Sequence, residues 1–587
     1  RIKSSIAMIS ARGVNIMRAV AVILIAALFF LPAWDHKVLN IGSFYRTRGL
    51  NEAAITQLAN YNKVLYYKES ISATVYVIED TRNGLKYLKI NGKTDGSTMR
   101  YDMLTQSFLA LLPLAKVKSA KNILIIGLGT GATLAAACKF KEAEKITCVE
   151  IIPEVIQAAK HFDESYDAYK NDPRVSIVVN DARSFLLTAR DRFDVIISEP
   201  SNPWISGISS LFTTDFFSLC RSRLSKEGVM LAWIQAYESS PPVFKLALRT
   251  FRSVFNDASL WFNANYDVFA LGSADGACGS IDEPFAYYQK LQSLPALKAF
   301  LDASGIKDPL TFSSLRLMTS PQLKKYVGDG ILNSDNFQMI EYEAPVNLYS
   351  EERVALDYRT YADNLGDAIE YCRRSTDETR LNEMMRNAAL FLGHDFVEPR
   401  TIISLAGLII SNNAADEKIY HLKAVSCARI KSFDSAIEAI TKAIDKKPAD
   451  ETYLKLRAGW SLLLAANGVS KGVSALLESA RADYEKAAAL NPVDAEAWRG
   501  LITAARISRD GNYLVQTAKK AFEINKTDGL TLLDLAAEKL LEFNEYSAAA
   551  ELYDFAFARS TTPHEKAFIK ARIEECAYLK TGENEPR

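Results

Sequence analysis

Gly127-Leu128-Gly129-Thr130-Gly131-Ala132 follows the apolar run Asn122 to Ile126 and precedes a helix-forming stretch, Thr133 to Phe140. A strand, a glycine turn and a helix in that order bring backbone close to a ligand at a helix N-terminus. The pattern serves dinucleotides and S-adenosylmethionine alike, and a purely structural tight turn also uses glycine. Acids that follow in order narrow the choice. Glu150 ends the second β-rich run, nineteen residues after Gly131, where a carboxylate accepts hydrogen bonds from both ribose hydroxyls. Asn180-Asp181-Ala182 ends the third run, where an acidic side chain reads an adenine amine. The fourth opens into Ser198-Glu199-Pro200-Ser201-Asn202-Pro203-Trp204, which puts a carboxylate at the strand end where open α/β sheets hold reacting groups. Singly, each acid reads equally well as a solvated loop charge or a helix cap. As an ordered set they point to a nucleoside site contacted by Gly127, Gly129, Thr130, Gly131, Glu150, Asp181 and Ala182.

The elements that must position these residues follow from apolar patterning. Val75 to Ile78 and Tyr87 to Ile90, joined through Arg82-Asn83-Gly84, predict a hairpin. Asn122 to Ile126, Ile146 to Val149, Val175 to Val179, Val195 to Ser198 and Val229 to Ile234 predict strands at the spacing of crossover helices, hence a mostly parallel, doubly wound α/β sheet. From about Asp416 onward Ala and Leu dominate and an all-helical region is expected. Its turns at Pro448, Pro492 and Thr527 recur at 44 and 35 residues, the first interval requiring an insertion around Asn467-Gly468. The layout resembles a degenerate tetratricopeptide array of three repeats, with a plain helical bundle as the alternative.

Ala19 to Trp34 is uncharged and apolar, with Arg12 and Arg18 before it, and predicts a membrane helix over about 14–34 rather than a cleaved signal peptide. The chain is accordingly expected to be the end of a longer membrane protein. The basic residues before the segment place the bulk of the chain outside, while Lys37, Arg46 and Arg48 blunt that asymmetry, so topology stays open. The expected division is 1–45 membrane segment and linker, 46–118 small β-rich domain, 119–290 nucleoside-binding domain, 291–415 connecting helical region and 416–587 helical repeats. Within the connecting region Asn333-Ser334-Asp335-Asn336 reads as a solvated turn or as a cap over the site.

Composition bounds the alternatives. Over 587 residues, 70 Lys and Arg balance 70 Asp and Glu, so net charge steers the chain toward no polyanion and nucleic acid is not an expected partner. Seven cysteines without a CxxC pair and five scattered histidines predict buried thiols and no metal site.

Leu65 to Ser273 resembles the spermidine/spermine synthase (aminopropyltransferase) family. The membrane segment, LYYKESISATVYV, KINGKTDGST, IIGLGTGA, VVNDAR, ISEPSNPWISG and the helical tail together resemble the membrane-fused spermidine synthase-like proteins of bacteria. The resemblance implies a class I methyltransferase-like (Rossmann-like) fold with a small N-terminal β-domain. It further implies binding of S-adenosylmethionine or decarboxylated S-adenosylmethionine as substrate, release of 5'-methylthioadenosine, an amine acceptor and a homo-oligomer. It places the chain at the bacterial inner membrane with its soluble domains cytoplasmic. Where soluble members have GGGDGG, Thr130 replaces the acid that holds the aminopropyl amine. Where they have D-S-S-D-P, Glu199 is kept and Asn202 replaces the second acid, and the family's Tyr-Gln aligns with Ser72-Ala73.

A sulfonium is already a good leaving group, so the enzyme must position an unprotonated nucleophile in line with the carbon beside sulfur. Glu199 is the expected catalytic residue, as proton acceptor or counter-charge, with capping of the Ser206-Gly207 turn as its alternative role. Tyr66, Tyr67, Asn202, Gln235 and Tyr237 are expected walls of the acceptor pocket. Three other readings stay open: an S-adenosylmethionine lyase or cyclase, a methyltransferase, and a non-catalytic membrane adaptor or nucleoside sensor whose repeats bind a protein partner. An NAD-linked dehydrogenase is more distant, because it leaves Asp181 and Glu199 without work.

Overall fold

The structure is a computed structural model that describes residues 18–23, 36–39, 52–263, 267–274, 282–347, 354, 358–393, 398–468, 472–525 and 527–581. The chain divides into two compact units. The first comprises Arg1–Asn256, Phe269–Gly276 and Asp329–Arg353, and the second Asp257–Val268, Ala277–Gly328 and Val354–Arg587.

The first unit begins with an antiparallel sheet in the order β1 (Asn62–Glu69), β2 (Thr74–Asp80), β3 (Lys86–Ile90) and β4 (Lys93–Ser97). The expected hairpin is β2–β3, in register from Val75 with Ile90 to Glu79 with Lys86. β1 and β4 add an edge on either side. The helix Arg100–Lys116 follows, buried along most of its length from Leu104 to Ala115.

Next come β5 (Asn122–Ile126), β6 (Lys145–Glu150), β7 (Val175–Val179), β8 (Phe193–Ser198) and β9 (Leu224–Gln235). β5 is flanked by β6 and β8, with β7 outside β6 and β9 outside β8, and all four pairings are parallel. Parallel central strands are covered on both faces and so read as continuous apolar runs; Ile123, Leu124 and Ile125 are fully buried. β5 and β8 thus turn their carboxyl ends to the same side, where the chain order reverses about β5. Ligands of open α/β sheets bind at such a switch point.

In the second unit β10 (Ala258–Phe262) pairs antiparallel with β11 (Arg316–Met318). From Glu417 the described chain is helical, as expected. Alternate helices begin at Glu417, Ala495, Gly529 and Pro563, with Glu451 between the first two, and their starts lie 34, 44, 34 and 34 residues apart. The longer interval spans the turn Asn467-Gly468. Small residues let neighbouring helices approach closely, and Ala436, Ala458, Ala480, Ala504, Ala518 and Ala536 are fully buried in this core.

The expected membrane segment over 14–34 lies outside the described residues, apart from a helical stretch at 18–23 in which Val20, Val22 and Ile23 are exposed. Among the described residues no helix is long and apolar enough to cross a membrane.

Candidate active site

The glycine turn after β5 adopts backbone that only glycine takes readily. Gly127, Gly129 and Gly131 have φ of +93°, +51° and +83°. Two of them are also sites of close approach: a Cβ on Gly127 would lie 2.5 Å from the Glu199 carbonyl oxygen, and one on Gly131 would lie 2.7 Å from the Tyr169 ring. Glu150, at the end of β6, is buried and spans the turn. Its Oε2 accepts the Leu128 N–H at 2.9 Å and its Oε1 accepts the Ile152 N–H at 2.9 Å. Burial raises the Glu150 pKa, and the backbone donors pull against that rise. Each carboxylate oxygen has two lone pairs, so both can still accept a ribose hydroxyl.

Asp181 ends the loop after β7 and caps the helix Ala182–Thr188, accepting the Ser184 N–H at 2.8 Å. The cap reading of this acid therefore holds for Oδ1. Thr130 is buried, and its hydroxyl donates to Gln106 Oε1 on the long helix. A neutral hydroxyl brings no negative charge to the turn, and with its proton given to Gln106 it can act only as an acceptor.

Glu199 sits at the carboxyl end of β8. Its N–H donates to the Ile126 carbonyl at 2.9 Å, and its Oε2 accepts the Thr133 hydroxyl at 2.6 Å, which ties the carboxylate to the helix that follows the glycine turn. The capping role weighed for Glu199 belongs to Glu341, which accepts the Gly207 N–H at 3.0 Å and the hydroxyls of Ser206 at 3.1 Å and Ser209 at 2.7 Å.

Beyond Glu199 the loop carries Ser201 and Asn202. Asn202 is fully buried, donates to the Tyr237 hydroxyl at 3.3 Å and leaves its Oδ1 without a partner. Gln235, at the end of β9, is 2% exposed, with both its Nε2 and its Oε1 unpartnered. The Trp204 ring meets Tyr237 edge-on at 6.3 Å. Asn202, Gln235 and Tyr237 thus gather at one end of the sheet. Tyr66 and Tyr67 do not join them. They lie on β1, the edge of the small sheet opposite β4, where Tyr66 packs on His161 at 5.7 Å and Tyr67 on Tyr76 at 4.8 Å.

A residue absent from the expected set lies on β4 instead. Asp95 accepts Ser201 Oγ at 2.7 Å and Lys93 Nζ at 2.6 Å, while its buried Oδ2 has no partner. Its only signal in the sequence was its place in KINGKTDGST.

The Asn333 turn is a latch rather than a solvated loop. Asn333 is fully buried and donates to the Phe212 carbonyl at 3.1 Å. Asp335 accepts Arg183 Nη1 at 2.8 Å and Thr213 Oγ1 at 2.8 Å, and Arg183 holds its carboxyl below the usual range. Both segments belong to the first unit. Among the described residues no group of three or more His, Cys, Asp or Glu side chains is arranged to hold a metal ion.

The spermine/spermidine synthase domain model matches residues 102–264. A polyamine aminopropyltransferase of Buchnera aphidicola subsp. Schizaphis graminum is 27% identical over 209 residues, which is 35% of this chain and 72% of that protein. Another, from Saccharolobus islandicus, is 32% identical over 213 residues, 35% of this chain and 67% of that protein. A spermidine synthase structure from Thermotoga maritima is 25% identical, covering 40% of this chain and 78% of its own at a TM-score of 0.33. With its glycine turn, strand-end acids and relatives agreeing, the chain belongs to the polyamine aminopropyltransferase family, a family of transferases.

Proposed function

We propose that the chain binds S-adenosylmethionine or its decarboxylated form and passes the alkyl arm on the sulfonium sulfur to an amine, releasing 5'-methylthioadenosine. With the decarboxylated donor this is aminopropyl transfer. The observation that carries the reading is Glu199. Its carboxylate is anchored by Thr133 beside the glycine turn, on the loop that leads through Ser201 and Asn202 to Asp95 and Tyr237. A carboxylate so placed can take the proton of the attacking amine and keep its lone pair available. Gly127, Gly129, Gly131, Glu150, Asp181 and Ala182 form the nucleoside end, and Asn202, Gln235 and Tyr237 the acceptor end.

Incubation with each donor, with and without a diamine panel, tests the reading by mass spectrometry of the nucleoside product. Methylthioadenosine that requires an amine supports transfer, and S-adenosylhomocysteine would instead mean methyl transfer. A second reading, cleavage or cyclisation without an external acceptor, draws on the loss of acids at Thr130 and Asn202, since a buried dication needs paired carboxylates. Methylthioadenosine from S-adenosylmethionine alone identifies it.

Two further parts of the proposal concern the chain on either side of this site. Ala19 to Trp34 supports membrane attachment, tested by fractionation of the full chain. The 34-residue helix period supports a tetratricopeptide-like array that docks a protein partner, tested by affinity capture with and without 416–587.

A further inference from the structure

Thr130 and Gly96 touch: a Cβ on Gly96 would lie 2.8 Å from Thr130 Cγ2, so β4 runs directly against the glycine turn. One residue back along β4 is Asp95, whose side chain is 9% exposed. Its Oδ1 accepts from both Lys93 Nζ and Ser201 Oγ, which places the Lys93 ammonium beside the loop that carries Glu199. The Lys93 side chain is itself only 11% exposed. Like Asn202 Oδ1 and the Gln235 amide, Asp95 Oδ2 is a buried polar atom without a partner, and a carboxylate oxygen so placed can accept a donor from a ligand.

We propose that Lys93 and Asp95 together read an α-amino-carboxylate, so that the donor is S-adenosylmethionine with its carboxylate retained and the group transferred is 3-amino-3-carboxypropyl. The argument is one of charge. The arm of the decarboxylated donor ends in a lone ammonium, which is matched best by an uncompensated carboxylate; Thr130 has removed one from the turn, and Lys93 neutralises the one on β4. A net-neutral pair suits a net-neutral zwitterion. Asp95 Oδ2 accepts from the α-ammonium, and the ammonium of Lys93, with three donors of which Asp95 takes one, donates to the carboxylate.

This inference rests on the alkyl-transfer reading of the same site and keeps its chemistry. The acceptor nitrogen forms a bond to the methylene carbon beside sulfur, and the carbon–sulfur pair stays on sulfur. Neutral methylthioadenosine leaves, and the proton lost from nitrogen passes to Glu199.

Calorimetric titration of the full chain with methylthioadenosine, S-adenosylmethionine and decarboxylated S-adenosylmethionine tests it. The wild type is expected to prefer S-adenosylmethionine over the decarboxylated form by roughly tenfold or more, the equivalent of one charge-assisted hydrogen bond. Lys93→Met should weaken S-adenosylmethionine by roughly tenfold to a hundredfold, leave methylthioadenosine unchanged and tighten the decarboxylated form. Lys93→Arg should keep the wild-type preference. Preference of the wild type for the decarboxylated donor, or equal loss of both donors in Lys93→Met with methylthioadenosine still bound, would overturn the inference alone. Failure of the wild type to bind methylthioadenosine would overturn the nucleoside reading and this inference with it.

Discussion

At the nucleoside end of the site Glu150 gives both oxygens to backbone donors, and the glycines hold their turn by conformation, whereas at the transfer end Asp95, Asn202 and Gln235 each bury a polar atom that has no partner. The nucleoside end follows β5, β6 and β7, and the transfer end β8 and β9 with Asp95 added from β4, and the two differ in how far their buried polar atoms are satisfied. A buried polar atom left without a partner costs about 1–3 kcal/mol. The nucleoside end is therefore complete before ligand arrives, and the transfer end is completed by it. On the proposed function, the shape for adenosine is set by backbone, while the choice of arm and acceptor rests on a few replaceable side chains.

The largest effect should come from breaking the preformed end. Gly127→Ala places a Cβ against the Glu199 carbonyl in left-handed backbone. It should cost about 2–6 kcal/mol in stability and abolish methylthioadenosine binding, as thermal denaturation and titration would show.

At the unsatisfied end the expectation inverts. Gln235→Met replaces a buried amide with no partner by an apolar side chain of similar size. It should leave the melting temperature unchanged or higher, yet lower kcat/KM for the acceptor by roughly tenfold.

A smaller, pH-dependent effect marks Glu150. Only the ionised carboxylate offers all its lone pairs to ribose, and burial raises its pKa. Affinity for methylthioadenosine should therefore fall on acidification at a higher pH than an ordinary carboxylate would dictate, and Glu150→Gln should flatten the profile.

The smallest effect belongs to the scaffold of that end. Arg174 bonds Asp172 and the carbonyls of Cys138, Phe140 and Ala143, and its side-chain hydrogen bond holds the Asp172 carboxyl down to about 2. A depressed folded pKa contributes stability that is present above the unfolded value of about 3.9 and is lost as pH falls through about 2. Asp172→Asn should flatten the fall in melting temperature between those values and leave methylthioadenosine binding at neutral pH unchanged.

The same contrast explains what was legible in the sequence. β5, β6, β8 and the Val229 to Ile234 part of β9 were readable because buried parallel strands are near-continuous apolar runs, β7 because Val175 to Val179 is rich in β-branched residues, and the glycine turn because only glycine tolerates its backbone readily. β4 was not, since Lys93-Thr94-Asp95-Gly96-Ser97 carries no apolar alternation; it is held as a strand by pairing with β3, and Asp95 went unnoticed with it. Glu341 was missed, and Asn333 was legible only as a solvated turn or a cap, for a different reason: they serve the Ser206 to Thr213 loop from more than a hundred residues away, and polar contacts at that separation leave no local pattern. Tyr66 and Tyr67 were expected as pocket walls, and they lie on β1, at the edge of the small sheet opposite β4, because strand order is set by long-range pairing that leaves no local pattern.

Glu199→Gln separates the two ends most directly, because the substitution keeps the side chain's shape and removes only its charge and basicity. Methylthioadenosine binding by calorimetry and product formation by mass spectrometry would be compared with the wild type. Affinity within about twofold, alongside product formation reduced by roughly a hundredfold or more, is the predicted result. Parallel loss of both, or unimpaired product formation, would contradict the assignment of Glu199 to the transfer step.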